Sequence, residues 1–253
     1  MGFIKKIIKF VFRHVFGLEV FLDRNLPLPA VQGETVDKAL IELVSSLRKF
    51  EVDLVLDVGS NNGQFASGIR HCGYAGRIVS FEPLSQAHGQ LLQASTEDSM
   101  WDAHPRCALG DHNGKIEINI AGNSFSSSIL PMLELHRSVA PESAYQGKEI
   151  VTITTLDDVA GQYMKDASAT FLKIDVQGFE WLVLDGARDT LPHTKGILVE
   201  LSLVPLYEGQ RLWREVIDRL EAEGFTLWAF MPELSDQVSG RTLQINGVFF
   251  RHP

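Results

Sequence analysis

Two small groups of residues in this sequence have the types and spacing to do chemistry. The first begins in the apolar run Leu54-Val-Leu-Asp-Val58, which gives way to Gly59-Ser-Asn-Asn-Gly63. Glycines at Gly59 and Gly63 can take backbone angles that other residues resist, and they let a ligand approach the chain closely. A helix starting after Gly63 would present free N–H groups and the positive end of its dipole, which suit a ligand carboxylate as well as a phosphate. Glu82 closes the next apolar run, Arg77–Glu82, where a carboxylate can accept hydrogen bonds from both hydroxyls of a ribose. The pair predicts a nucleoside site. The spacing is G-x-x-x-G, with Asn61 and Gln64 standing where a dinucleotide fingerprint needs glycines, so a nicotinamide or flavin site is disfavoured. The alternative is a tight turn in an unrelated α/β protein.

The second group consists of proton acceptors. Asp175 and Glu200 end two further apolar runs, and His136 lies on the long segment 121–148. Carboxylates can act as general bases, and an imidazole titrates near neutral pH. Each also has a plain structural role open to it. Asp175 could cap the helix beginning near Gly178, Glu200 could pair with Lys173, and His136 could be an exposed loop residue. Asp175 with Asp157, Asp158 or Glu200 could also give oxygen ligands to Mg²⁺. Asp157-Asp158 suits the first turn of a helix equally well.

These residues must be held by an alternation of strands and helices. Strands are expected at Leu54–Val58, Arg77–Glu82, Arg106–Leu109, Lys115–Ile120, Glu149–Thr154, Ala169–Asp175, Gly196–Leu201, Phe225–Phe230 and Gln244–Arg251. Helices are expected at about 34–50, 62–71, 84–94, 155–165, 179–190 and 211–223. Nearly continuous apolar strands alternating with helices predict an α/β fold, a mostly parallel sheet with helices on both faces. The segment 121–148 carries Gly122, Pro131, Pro141 and Gly147 and has the length of a lid-like insertion. Met132, Leu133, Leu135 and Tyr145 could form an apolar substrate wall or pack a local helix. The connection Pro232–Arg241 is expected on the same side.

Composition narrows the classes. Hydrophobic residues make up 45% and charged residues 22% of the 253, which excludes wholesale disorder. A formal charge of -9 argues against nucleic acid as the main partner. Cys72 and Cys107 are too few for a disulfide framework or thiolate metal site and indicate a reducing compartment, the cytoplasm. Residues 1–18 read as a basic amphipathic helix, with Ile4, Ile7, Ile8, Val11 and Val15 at helical spacing among Lys5, Lys6, Lys9 and Arg13. That segment could dock peripherally on an anionic membrane, at its inner face, or pack on its own domain or a second subunit of a homo-oligomer. A breaker-rich connector follows, so residues 1–33 are set apart from a main domain over 34–253.

The order of motifs adds a resemblance. The acid of the first strand, the glycine turn and Glu82 together resemble the S-adenosylmethionine site of Rossmann-like methyltransferases. Lys173-Ile-Asp-Val-Gln-Gly-Phe-Glu180 is similar to the signature of the FkbM-type methyltransferases. So are Ala108-Leu-Gly-Asp111, Asn123-Ser-Phe-Ser-Ser-Ser128, Thr155-Leu-Asp-Asp158, Val199-Glu-Leu-Ser202 and Leu206-Tyr-Glu-Gly-Gln210, over about residues 50–251. The resemblance implies a seven-stranded sheet with an antiparallel last strand. It also implies S-adenosylmethionine-dependent O-methylation of a sugar, glycolipid or secondary-metabolite hydroxyl. By position it places Asp57, Gly59, Ser60, Asn61, Gly63 and Phe65 around the donor, Glu82 on the ribose and Asp111 near the adenine. Enzymes that methylate amide or ring nitrogens commonly carry Asn/Asp-Pro-Pro-aromatic where this chain has Asp175-Val-Gln-Gly178, which favours oxygen as acceptor. The rival readings are a non-catalytic binding module and an NAD-dependent oxidoreductase.

Overall fold

In the computed structural model of the chain, strand β1 (Leu54–Val58) is buried at every position. So is β7 (Thr170–Ile174), which lies beside it. A strand covered on both faces needs an unbroken apolar run, and that is why these two stand out in the sequence. The side chains of β1 alternate between two cores. Leu54, Leu56 and Val58 join one cluster and Val55 joins the other.

The structure describes residues 38–251, which belong to the compact unit Val36–Pro253. The amphipathic segment 1–18, the connector after it and the start of the first expected helix lie outside the described residues. The remaining strands are β2 (Arg77–Phe81), β3 (Trp101–Ala103), β4 (Ala108–Gly110), β5 (Gly114–Ala121), β6 (Tyr145–Thr155), β8 (Thr194–Ser202), β9 (Thr226–Ser235) and β10 (Thr242–Phe250). The main sheet has seven strands in the order β3-β2-β1-β7-β8-β10-β9. Pairing is parallel from β3 through β8, and β10 runs antiparallel to both its neighbours. This is the Rossmann-like α/β arrangement expected from the sequence.

Helices α1 (Lys38–Lys49), α2 (Gln64–His71) and α3 (Ser85–Ser95) cover one face. Helices α5 (Leu156–Met164), α6 (Glu180–Asp185) and α7 (Trp213–Ala222) cover the other. Helix α6 is shorter than expected and stops at Gly186. A Cβ there would stand 1.8 Å from the Gly110 carbonyl oxygen, so the chain turns where it is pressed against β4.

Three expected strands do not join the main sheet. Arg106–Leu109, Lys115–Ile120 and Glu149–Thr154 correspond to a separate sheet in the order β4-β6-β5. The third strand of the main sheet is instead Trp101–Ala103, three residues too few to show a periodic pattern. Strand β9 runs through Pro232 to Ser235, because an edge strand tolerates a residue without an N–H.

Segment 121–148 is a packed insertion. It contains the short helix α4 (Glu134–Val139) and a 3-10 turn at Pro141–Ser143. Met132 is buried with Leu206, Tyr207 and Leu243, and Tyr145 packs on that cluster. These two residues therefore form no substrate wall. The stretch Ser124–Ile129 is the part that reaches the large cavity.

Candidate active site

A cavity of about 640 Å³ opens at the carboxyl ends of β1, β2 and β7. The sheet order reverses between β1 and β7, which is where open α/β sheets bind ligands.

The turn after β1 forms its floor. Gly59 has φ +75, and a Cβ on it would stand 1.8 Å from the Asp175 carbonyl oxygen, so only glycine lets the two strand ends approach this closely. Gly63 has φ +91 and rests on the Trp101 ring. The N–H groups of Gly59 and Ser60 both donate to the Phe81 carbonyl, fixing the turn to the end of β2. Asn61 is also left-handed, at φ 49, with its side-chain oxygen accepting from the Asn62 N–H at 2.8 Å.

Glu82 is 5% exposed and lines the cavity. One of its oxygens accepts from the Asn61 N–H at 2.9 Å and the other from the Leu84 N–H at 2.8 Å. Burial pushes its carboxyl up to about 7, although those two N–H groups and Lys173 pull the other way. A carboxylate has about four acceptor sites, so two remain for ligand hydroxyls. Beyond Glu82 the wall is apolar, with Pro83, Leu84, Cys107, Leu109 and Phe179. Burial raises the Cys107 thiol to about 11, so it serves as a small apolar group.

Asp57 lies beneath the turn, fully buried, and is absent from the cavity wall. It accepts from Ser80 Oγ at 3.1 Å, and its other oxygen forms an ion pair with Lys173 Nζ at 3.2 Å. Lys173 Nζ also donates to the Gly59 carbonyl at 2.8 Å and lies 3.5 Å from Asp175. Burial alone would lower this ammonium, but Asp57 and Asp175 outweigh it and raise it to about 12. Glu200 is therefore not the partner of Lys173. The register explains this, because Asp57 and Lys173 sit directly opposite each other on β1 and β7.

The far wall carries Asp175, whose side chain is 31% exposed. Gln177 Nε2 donates to Asp175 at 2.9 Å and to Glu200 at 3.0 Å, and its Oε1 accepts from the Tyr207 hydroxyl at 2.7 Å. Glu180 accepts from the N–H groups of Val176 and Gly178. Burial and the neighbouring carboxylates raise both Glu180 and Glu200 above the usual carboxyl range.

The expected residues thus fall into distinct places. Gly59, Ser60, Asn61, Phe65, Glu82 and Asp175 line the cavity, and Gly63 supports the turn. Glu200 stands behind Asp175, joined to it through Gln177. Asp111 is exposed, pairs with His112 and does not line the cavity. His136 is neither an exposed loop residue nor a cavity residue. It is 2% exposed, packs edge-on against Tyr207 at 5.1 Å, and burial lowers its pKa. Gln177, Glu180 and Tyr207 are the residues that sequence reasoning missed, and Lys173 has Asp57 and Asp175 as partners in place of Glu200. Gln177 and Glu180 stand inside the motif around Asp175, so the signal for them was their position in that run.

No group of three His, Cys, Asp or Glu among the described residues converges as a metal site. Asp157 is occupied with the backbone N–H groups of Asp189 and Thr190. Asp158 accepts from Thr155 Oγ1 and Asn113. Neither joins Asp175, so the Mg²⁺ groupings of Asp175 with Asp157 or Asp158 do not form. No helix among the described residues is long and apolar enough to cross a membrane.

Residues 57–227 match the family described as the methyltransferase FkbM domain. The chain is 27% identical over 197 residues to the 2-O-methyltransferase NoeI of Sinorhizobium fredii, covering 76% of this chain and 79% of that protein. Among solved structures, an rRNA methylase from Streptococcus thermophilus aligns at 9% identity and TM-score 0.45, over 87% of this chain and all of that one. The complex of LepI with SAM aligns at 15% identity and TM-score 0.42, over 84% of this chain and 46% of that one.

Proposed function

The chain belongs to the FkbM methyltransferase family, and from that premise we propose that it moves a methyl group from S-adenosylmethionine to a hydroxyl of a sugar, glycolipid or related small molecule. The observation that carries this reading is one cavity lined by the glycine turn and the buried Glu82 carboxylate as well as by Asp175. Glu82 would accept from the ribose hydroxyls, and the apolar wall from Pro83 to Leu109 would face the adenine. The Gly59–Gly63 turn and the start of α2 would hold the methionine end, where backbone N–H groups favour a carboxylate.

S-adenosylmethionine supplies a methyl group already activated by its sulfonium. The protein's task is then to place the acceptor oxygen in line and remove its proton, and placement can contribute about 7–11 kcal/mol in favourable cases. Asp175 is the group at the wall that would take the proton. The likeness to a 2-O-methyltransferase supports oxygen as acceptor. The turn Asp175-Val-Gln-Gly178, with no proline, supports it as well.

The test is transfer of labelled methyl from S-adenosylmethionine to a panel of methyl glycosides by the unaltered chain and by Asp175→Asn. We expect turnover to fall about 100- to 10,000-fold in the variant, with donor binding by calorimetry unchanged. Full turnover by Asp175→Asn removes Asp175 from the mechanism. Donor binding with no transfer to any acceptor class supports a binding module instead.

A further inference from the structure

Gln177 lines the cavity beside Asp175 and is held in an uncommon way. Its backbone is left-handed at φ 56, a region that costs a non-glycine residue energy and persists where surrounding contacts impose it. Gly178 follows at φ +97, and a Cβ there would come within 3.1 Å of Tyr207, so the turn is pressed onto that ring. The Gln177 carbonyl accepts from Ser128 Oγ at 2.6 Å, tying it to the insertion.

Every polar atom of the side chain is used. Both hydrogens of Nε2 go to carboxylates, one on Asp175 and one on Glu200, while Oε1 takes the Tyr207 hydroxyl. Tyr207 is fully buried, and burial keeps its hydroxyl protonated far beyond neutrality, so it is a permanent donor. The Tyr207 hydroxyl also lies 3.3 Å from the Ser126 carbonyl, so it is held between Gln177 and the insertion. Asp175 is thereby fixed from two sides, by Gln177 on one oxygen and Lys173 on the other.

We propose that Gln177 is the positioning residue of the transfer step: anchored by Tyr207 and the Ser128 contact, its amide holds the Asp175 carboxylate against the cavity and ties Glu200 behind it. The inference rests on the reading of Asp175 as the proton acceptor. The charged and titratable groups around Asp175 are Lys173 on β7, Glu180 on α6, Glu200 on β8 and Tyr207, with Glu233 on β9 acting on Glu200. Without the bridging amide, the Asp175 and Glu200 carboxylates, each of which disfavours the other's charge, would lose their shared donor.

Gln177→Met keeps the length of the side chain and removes both its donors and its acceptor. In the full chain, assayed with labelled S-adenosylmethionine and neutral methyl glycosides, we expect kcat to fall about 100-fold. The KM for the donor should stay unchanged, and the acid limb of the kcat profile should move to higher pH. A crystal structure of the variant with S-adenosylhomocysteine should show the Asp175 carboxylate rotated from its place. Turnover within twofold of the unaltered chain, or an Asp175 carboxylate that has not moved, overturns the proposal. Tyr207→Phe gives the same readouts if Gln177→Met does not fold. Full turnover by Asp175→Asn defeats the base reading and this inference together. An inactive Asp175→Asn beside an active Gln177→Met defeats this inference alone. If the unaltered chain methylates no glycoside, the acceptor reading fails and the position of Asp175 still decides this one.

Discussion

The proposed grip of Glu82 on a ribose should depend on pH in a direction that its surroundings dictate. Burial raises this carboxyl to about 7, and the N–H groups of Leu84 and Asn61 and the charge of Lys173 only partly oppose that. Ribose hydroxyls are donors, so they bind best to the ionised form. A group titrating at about 7 is about one-tenth ionised at pH 6 and about nine-tenths at pH 8. The affinity for S-adenosylhomocysteine should therefore rise about tenfold across that window, or about 1.4 kcal/mol. Stability runs the other way. A carboxyl raised in the folded state contributes stability below the usual carboxyl range and loses it as pH rises through its folded value, here by an upper bound of about 3 kcal/mol. The ligand should therefore raise the melting temperature more at pH 8 than at pH 6. Calorimetry from pH 6 to 8 on the unaltered chain and on Glu82→Gln separates this group from every other titration. An equal slope in both proteins, or affinity that falls with rising pH, would refute the reasoning.

Three other outcomes follow from the same site. Lys173→Met leaves Asp57 fully buried without its cation, and urea unfolding at pH 7 should show a loss of about 3–5 kcal/mol. A loss below about 1 kcal/mol would show the pair to be weak. Gly59→Ala forces a Cβ into the Asp175 carbonyl at a positive φ. It should cost about 1–3 kcal/mol and weaken donor binding in calorimetry, and binding equal to the unaltered chain would contradict the close approach. Turnover should survive EDTA, since Asp157 and Asp158 are spent on other partners. Activity lost to the chelator and restored by Mg²⁺ would show otherwise.

What the sequence determined by itself was the part of the molecule written in short-range pattern. The unbroken apolar runs of β1 and β7 and the glycine turn between strand and helix are local necessities of a buried parallel sheet. So Gly59, Asn61, Glu82 and Asp175 could be placed at one end of it. The tertiary structure decided whatever depends on partners far away in the chain. Asp57 reads as a ligand contact by position, yet the register of β1 against β7 sets it opposite Lys173 and buries both. His136 had its residue type and its place in the lid-like segment to recommend it, and in the packed insertion it lies against Tyr207 and does not line the cavity. Asp111 closes a motif and is still exposed, one residue past the end of β4, where it pairs with His112. Gln177 joins residues from three separate stretches, and a side chain's several hydrogen bonds leave no periodic trace in one stretch of sequence.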